Sequence, residues 1–222
     1  MDTTYNFDLQ NYGIKFIVLY IFIIFIEKYP KMKKYSEETK FNVYRSLLCL
    51  FFVIYALENI GDNLTNLTNV LNIKSDKIHD LFEWFIIYLI VDIFKMISMN
   101  NKRWDLYIHH ILTLIATLLS FNFNSVTLLT NIILLNEIIS LVTGIDSIYI
   151  EENDLEKSKN CKKFRKYIIQ YFRLPIWLFS IYICLTNKMS ILRIFTIFSS
   201  IFMIGLDQFW LKKCNKVINS YE

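Results

Sequence analysis

Apolar residues run along this chain in seven long blocks separated by short polar stretches. The blocks cover residues 11–27, 41–60, 79–98, 105–121, 124–149, 166–186 and 189–211. A helix needs about 20 mostly apolar residues to cross the hydrocarbon of a bilayer, and each block is near that length. The pattern predicts an all-α, multi-pass membrane protein with seven transmembrane helices. The fourth block, like the first, has only 17 residues. Asn122-Phe123-Asn124-Ser125 behind it reads as a tight turn, so blocks four and five are expected to form a close helical hairpin. Merging or dropping one block would leave six crossings.

Composition agrees with the pattern. The 222 residues are 55% hydrophobic and 17% aromatic, beyond what a soluble domain of this length normally carries. Four glycines and two prolines leave few turn or linker signals. The net charge of +4 matters less than its placement. Seventeen of the 24 Lys and Arg follow blocks one, three, five and seven, with Lys95 and Lys166 counted into the adjoining loops. Positive charge marks the cytoplasmic side, so seven crossings place the N-terminus outside and the C-terminus in the cytoplasm. Six crossings would break the alternation. Asp2 and Asp8 stand where a leader would have basic residues, and no small-residue cleavage site follows the first block; no cleavable signal peptide is expected. Asn63-Leu64-Thr65 and Asn66-Leu67-Thr68 form two sequons in a loop that this topology places outside. Cys49, Cys161, Cys184 and Cys214 have neither metal spacing nor a framework pattern and read as free thiols. Cys161 and Cys214 lie near membrane ends, where palmitoylation is a weakly signalled alternative.

Ionisable residues gather at one depth. By a rise of about 1.5 Å per residue, Arg45, Asp92, His109, His110, Asp146, Arg173 and Asp207 fall roughly 5–12 Å below the cytoplasmic boundary. Glu137 lies deeper, near the middle of block five. If they line a common interior, Arg45 and Arg173 can pair with Asp92, Asp146 or Asp207 and reduce the desolvation cost. Arg45, Asp146 and Asp207 are also near enough to the interface to snorkel. Glu58 and Glu83, by the opposite surface, read as solvated, and His79 as part of a polar loop.

Imidazole in hydrocarbon is costly without a partner or a cavity, so His109 and His110 stand out. Neighbours on a helix point about 100° apart, so one ring can face a cavity while the other packs or orients it. A neutral imidazole takes a proton from an amine or hydroxyl, or acts as a nucleophile. A carboxylate on a facing helix, from Asp92 or Glu137, would fix its tautomer and stabilise the imidazolium. A metal site is disfavoured, because helix ligands share a face at i and i+3 or i+4 and this pair is at i and i+1. The plain alternative is a pair of structural histidines bonded across helices.

These residues together resemble the TLC-domain family, the membrane fold of ceramide synthases and related lipid-handling proteins. The resemblance lies in Trp104-Asp105 followed by His109-His110-Ile111-Leu112-Thr113, in Tyr88-Leu89-Ile90-Val91-Asp92, in Leu134-Leu135-Asn136-Glu137-Ile138-Ile139-Ser140, in Phe172-Arg173-Leu174-Pro175 and in Arg45-Ser46. It covers residues 41–211, leaving 1–40 as an extra helix with its loop and 212–222 as a short cytoplasmic tail. It implies six helices ringed around a lipid-sized cavity, and an endoplasmic-reticulum location. It also implies transfer of a fatty acyl group from acyl-CoA to a sphingoid-base amine. His109 or His110 would then be base or acyl acceptor, Asp92 and Glu137 would support charge, and Arg173 would position a polar group. Arg45, Asp146 and Asp207 join it as candidate substrate contacts. Where ceramide synthases carry two aspartates three residues apart, this chain has Glu137 and Ser140. That pair is closer to relatives thought to govern membrane lipid composition without established catalysis.

Two functions therefore compete: a lipid N-acyltransferase with acyl-CoA as co-substrate and no resident cofactor, and a noncatalytic lipid-binding protein. The basic stretch Lys157 to Lys166 suits CoA phosphates, although a cytoplasmic loop is basic in any case. Membrane lipids are the expected partners, with no nucleic acid; a homo-oligomer is left open. A seven-helix receptor ranks last, since no Asp-Arg-Tyr or Asn-Pro-x-x-Tyr sequence occurs and block seven lacks a retinal-binding Lys.

Overall fold

Single polar residues set where several helices begin. Ser36, Ser75, Asp154 and Ser190 each accept the backbone N–H three residues on, capping α2 (Glu37–Asp62), α3 (Asp76–Ser98), α7 (Leu155–Tyr167) and α9 (Ile191–Asn219). The remaining helices are α1 (Leu9–Lys28), α4 (Trp104–Asn122), α5 (Leu128–Leu134), α6 (Ile138–Glu151) and α8 (Leu174–Leu185). The computed structural model describes residues 9–122, 125 and 127–220, and no strand occurs among them. Asp2, Asp8 and the turn residues Phe123 and Asn124 lie outside the described residues, as does the side chain of Asn66.

Two blocks are composite. α5 passes through a 3-10 turn, Leu135–Glu137, into α6. α7 passes through a π-helical segment, Ile168–Arg173, into α8. Pro175 follows directly; it lacks an N–H and crowds the carbonyl four residues back, so the ladder loosens one turn ahead of it. The basic stretch Lys157 to Lys166, expected as a loop, is thus helical. The Leu155–Leu185 rod has 31 residues, or about 46 Å of helix, longer than hydrocarbon is thick.

Among the described residues six helices are long and apolar enough to cross a membrane: Gln10–Lys28, Glu37–Asp62, Trp104–Phe121, Leu128–Glu151, Leu155–Leu185 and Ile191–Asn219. Much of their apolar surface faces outward, as with Ile14, Ile17 and Ile21 on α1 or Ile194, Phe198 and Ile201 on α9. Water does not tolerate such stripes; the chain is a multi-pass integral membrane protein. α3, expected as a crossing, is not among the six. Its 23 residues include Asp76, Lys77, Asp80, Glu83, Asp92 and Lys95. Four of these charges are answered by other helices: Asp80 and Glu83 by Lys15, Asp92 by Arg45, Lys95 by Glu27.

Helix contacts run in a closed order: α2 to α3, α3 to α4, α4 to α9, α9 to the α7–α8 rod, that rod to α5–α6, and α5–α6 back to α2. α1 packs outside, against α2 and α3. The tightest seam joins α2 to α6 at Gly144. A Cβ there would lie 2.8 Å from the Asn42 carbonyl and run into the Ser46 hydroxyl, which itself bonds the carbonyls of Asn42 and Ser140.

Two polar placements differ from expectation. His79 is buried in the first turn of α3, its ring 5.4 Å from that of Phe121, and is not in a loop. Glu83 is not solvated either; its carboxylate binds Asn11 and Lys15.

Candidate functional site

At one end of the ring, α2, α3, α4 and the α5–α6 turn bring five ionisable groups together. Arg45 grips Asp92 with two hydrogen bonds of 2.6 Å, from Nε and Nη2, and its guanidinium also lies over the Phe41 ring. Asp92 Oδ2 lies 3.4 Å from His110 Nε2. His109 Nε2 lies 3.7 Å from Glu137 Oε1. The two imidazoles meet edge to face, 5.2 Å between centroids. All five side chains are buried, and Asp92 is fully so. Arg45 therefore does not snorkel. A bidentate guanidinium–carboxylate pair holds geometry as well as charge, so Asp92 is a fixed anchor behind His110.

His109 Nδ1 sits 3.3 Å from the Met203 sulfur, which only accepts. Nδ1 thus faces a thioether and Nε2 faces the Glu137 carboxylate, the stronger acceptor of the two. Glu137 Oε2 is also 3.6 Å from Cys49 Sγ, which is 3.6 Å from the Tyr88 hydroxyl. The ring of His109 packs on the edge of Trp210.

Two cavities meet at this pair. The larger, about 200 Å³, runs along α4, α5, α8 and α9 from His109, Glu137 and Met203 to Ser120, Ser190 and Arg193. Its walls include Leu71, Phe82, Phe85, Leu112, Ile133 and Leu134. The smaller, about 70 Å³, has Glu38, Asn42, Arg45, Asn101, Arg103 and Arg165 in its lining, beside Leu106, Ile139 and Trp210. His109 and Glu137 line both; His110 lines only the smaller one. The 100° between neighbours on a helix produces this division.

Three expected substrate contacts line neither cavity. Arg173 donates from Nε to Asp207, at 2.9 and 3.1 Å, and from Nη1 to the Asn136 carbonyl at 2.6 Å. The 3-10 turn frees that carbonyl, and the π segment turns Arg173 inward to reach it. Trp177 adds a 3.0 Å bond to Asp207. Asp146 binds Ser158 at 2.7 Å and Lys162. Asp146 and Asp207 are each 2% exposed, so neither snorkels. These groups clamp α5–α6, α7, α8 and α9 together; their charges are answered inside the protein.

Sequence reasoning missed Met203, Trp210 and Cys49, which as isolated apolar residues give no signal. It also missed Asp105 as a structural anchor. That carboxylate, 1% exposed, receives Trp210 Nε1 at 2.8 Å and Arg103 at 2.7 and 3.0 Å. All four cysteines are free, and Cys214 is buried, which argues against its palmitoylation. Among the described residues no three His, Cys, Asp or Glu side chains cluster to hold a metal ion. No protein-family model, curated protein or solved structure matches this chain.

Proposed function

We propose that this chain is a TLC-type, seven-span membrane protein that transfers an acyl group from acyl-CoA to the amine of a sphingoid-type base. The observation that carries the reading is that His109 and Glu137 line both cavities. The smaller cavity, a vestibule with Arg45, Arg103 and Arg165 in its lining, suits a CoA thioester arriving from the basic side. The larger, with Leu71, Phe82, Phe85 and Leu112 in its walls, suits a hydrocarbon chain. His109 lines both.

The chemistry balances on this chain's own groups. The amine nitrogen attacks the thioester carbonyl, and the neutral His109 imidazole accepts its proton. Glu137 stabilises the imidazolium, and Met203 holds the ring. The C–S bond breaks, the acyl carbon keeps its new C–N bond, and the imidazolium returns the proton to the departing thiolate. Asp92, anchored by Arg45, orients His110 beside this centre.

In this reading α3 is the seventh crossing, tolerated because its charges at membrane depth are paired, and the charge distribution puts the C-terminus in the cytoplasm. An endoplasmic-reticulum membrane follows from the family resemblance alone. The test is purified protein with acyl-CoA and a sphingoid base. N-acyl product that disappears in His109→Ala supports the proposal; no product, or product unaffected by that substitution, rejects it. A C-terminal tag reached only from outside would reject the topology.

A second reading is a noncatalytic lipid-binding protein. The observation favouring it is Ser140, which lines the vestibule where the resemblance calls for a second acid. Lipid held at fixed stoichiometry without turnover would support it, and a stable, delipidated protein that binds no lipid would reject it.

A further inference from the structure

His109 and Glu137 are the only described residues that line both cavities. The cavities lie toward opposite ends of α4. The smaller is lined by Asn101 and Arg103, which precede the first residue of that helix, and by Glu38 in the first turn of α2. The larger is lined by Ser120 in the last turn of α4, by Ser125 beyond it and by Leu71 past the far end of α2. With 19 residues, α4 is about 28 Å long, close to the hydrocarbon thickness of a bilayer, about 30 Å. Together the cavities reach nearly from one membrane surface to the other, and a single His–Glu pair stands between them.

Both cavities have room and partners for water. One water needs roughly 10–15 Å³ and a few polar neighbours, against about 200 Å³ and about 70 Å³ here. The larger cavity has Ser120, Thr130, Ser190 and Thr196 in its lining, none of them buried, together with Arg193. The smaller has Glu38, Asn42, Asn101 and Arg103. His109 and Glu137 keep 9% and 10% of their side chains accessible, so water reaches each of them. His109 Nε2 and Glu137 Oε1 are 3.7 Å apart, too close for an ion to pass between them.

We propose that this chain conducts protons across its membrane, with the His109–Glu137 pair handing each proton from the water of one cavity to the water of the other. Acids and histidines at membrane depth are the usual parts of a proton relay. With the imidazole neutral, the pair carries one negative charge. It takes up a proton from one cavity and has no net charge while it holds it, on the ring or on the carboxyl. Releasing a proton to the other cavity restores the pair, so one enters and one leaves. The charged neighbours are matched among themselves: Arg45 with Asp92, Arg173 with Asp207, Arg103 with Asp105. No fixed charge is left over to hold the pair in one state. His110, Cys49 and Tyr88 are the remaining titratable groups around it. The route does not depend on acyl transfer, and it is open while the larger cavity holds water and not a hydrocarbon chain.

The experiment uses the purified full chain in phospholipid vesicles, with a pH difference imposed across them, a trapped pH-sensitive dye and a potassium ionophore to clamp the potential. Neither acyl-CoA nor amine is present. Wild type is expected to dissipate the pH difference several-fold faster than protein-free vesicles. His109→Gln/Glu137→Gln leaves neither partner able to carry a proton, and its rate should fall to the protein-free level. Ala116→Trp fills the larger cavity about two turns from His109 and leaves the pair in place; it should abolish the flux as well, and it carries the test if the double variant does not fold. Wild-type vesicles no faster than protein-free ones overturn the proposal. So does a folded variant of either kind that conducts as well as wild type, or a flux of potassium or chloride that shows an open pore. Flux through the pair without any N-acyl product rejects acyl transfer and keeps the proton route. N-acyl product without flux does the reverse.

Discussion

Replacing Asp92 by Leu leaves Arg45 buried without a carboxylate. The guanidinium makes two 2.6 Å bonds to Asp92, and the pair is almost shielded from solvent. At a charge separation of about 4 Å and an effective dielectric constant of about 20, their attraction is about 4 kcal/mol. Breaking one side of a buried pair typically costs about 3–5 kcal/mol, because the remaining charge has lost its partner and not its burial. Arg45→Met/Asp92→Leu removes both charges, and it is expected to lie within about 1 kcal/mol of wild type. The assay is reversible unfolding in mixed micelles, followed by tryptophan fluorescence on wild type, both single variants and the double. With each single variant costing about 3–5 kcal/mol and the double within about 1, the coupling energy of the cycle should be at least about 5 kcal/mol in magnitude. A single Asp92→Leu cost under about 1 kcal/mol, or a double variant as unstable as that single one, would refute the reasoning.

His109→Ala should lower kcat for acyl transfer by roughly 10²–10⁴-fold, the usual worth of a positioned general base. His110→Ala should cost less, since His110 lines only the vestibule; equal losses in single-turnover assays would contradict that division. Gly144→Ala should destabilise by about 1–3 kcal/mol through overpacking of the α2–α6 seam. Adding Ser46→Gly should recover only part of this, because the Asn42 carbonyl stays 2.8 Å from the new Cβ; full recovery of Tm would show that the seam gives way. Outside the membrane, Lys34 first and then Tyr35 hold the Glu152 carboxyl below the ordinary carboxylate range. A depressed acid stabilises the fold above its unfolded pKa and loses that contribution as pH falls through the folded value. Hydrogen exchange in the 29–36 segment should therefore differ between wild type and Glu152→Gln at neutral pH, and converge in acid. A difference that persists at the lowest pH would count against this tie.

That Arg45, Asp92, His109, His110 and Glu137 come together was legible in the sequence, because the constant helical rise puts neighbouring helices' polar residues near one level. Which arginine takes which aspartate was not legible. Arg173 reaches Asp207 and the Asn136 carbonyl only because a π segment and a 3-10 turn interrupt their helices. Pro175 hints at the first irregularity; nothing in Leu135-Asn136-Glu137 announces the second. Asp146 left the expected site because α7 is a helix and not a loop, which puts Ser158 and Lys162 against it.

Lys15, 4% exposed, bonds Asp80 at 2.7 Å and also reaches Glu83, which lies 68 residues later in the chain. During synthesis the ammonium exists before either acid does. At about 5–20 residues per second, the wait for Glu83 is roughly 3–14 s. Through that interval α1 is a helix that the bilayer can accept only with Lys15 held at the water interface. α1 is thus made well before it can be seated, and its seating waits on the synthesis of α3, which carries both of its acids.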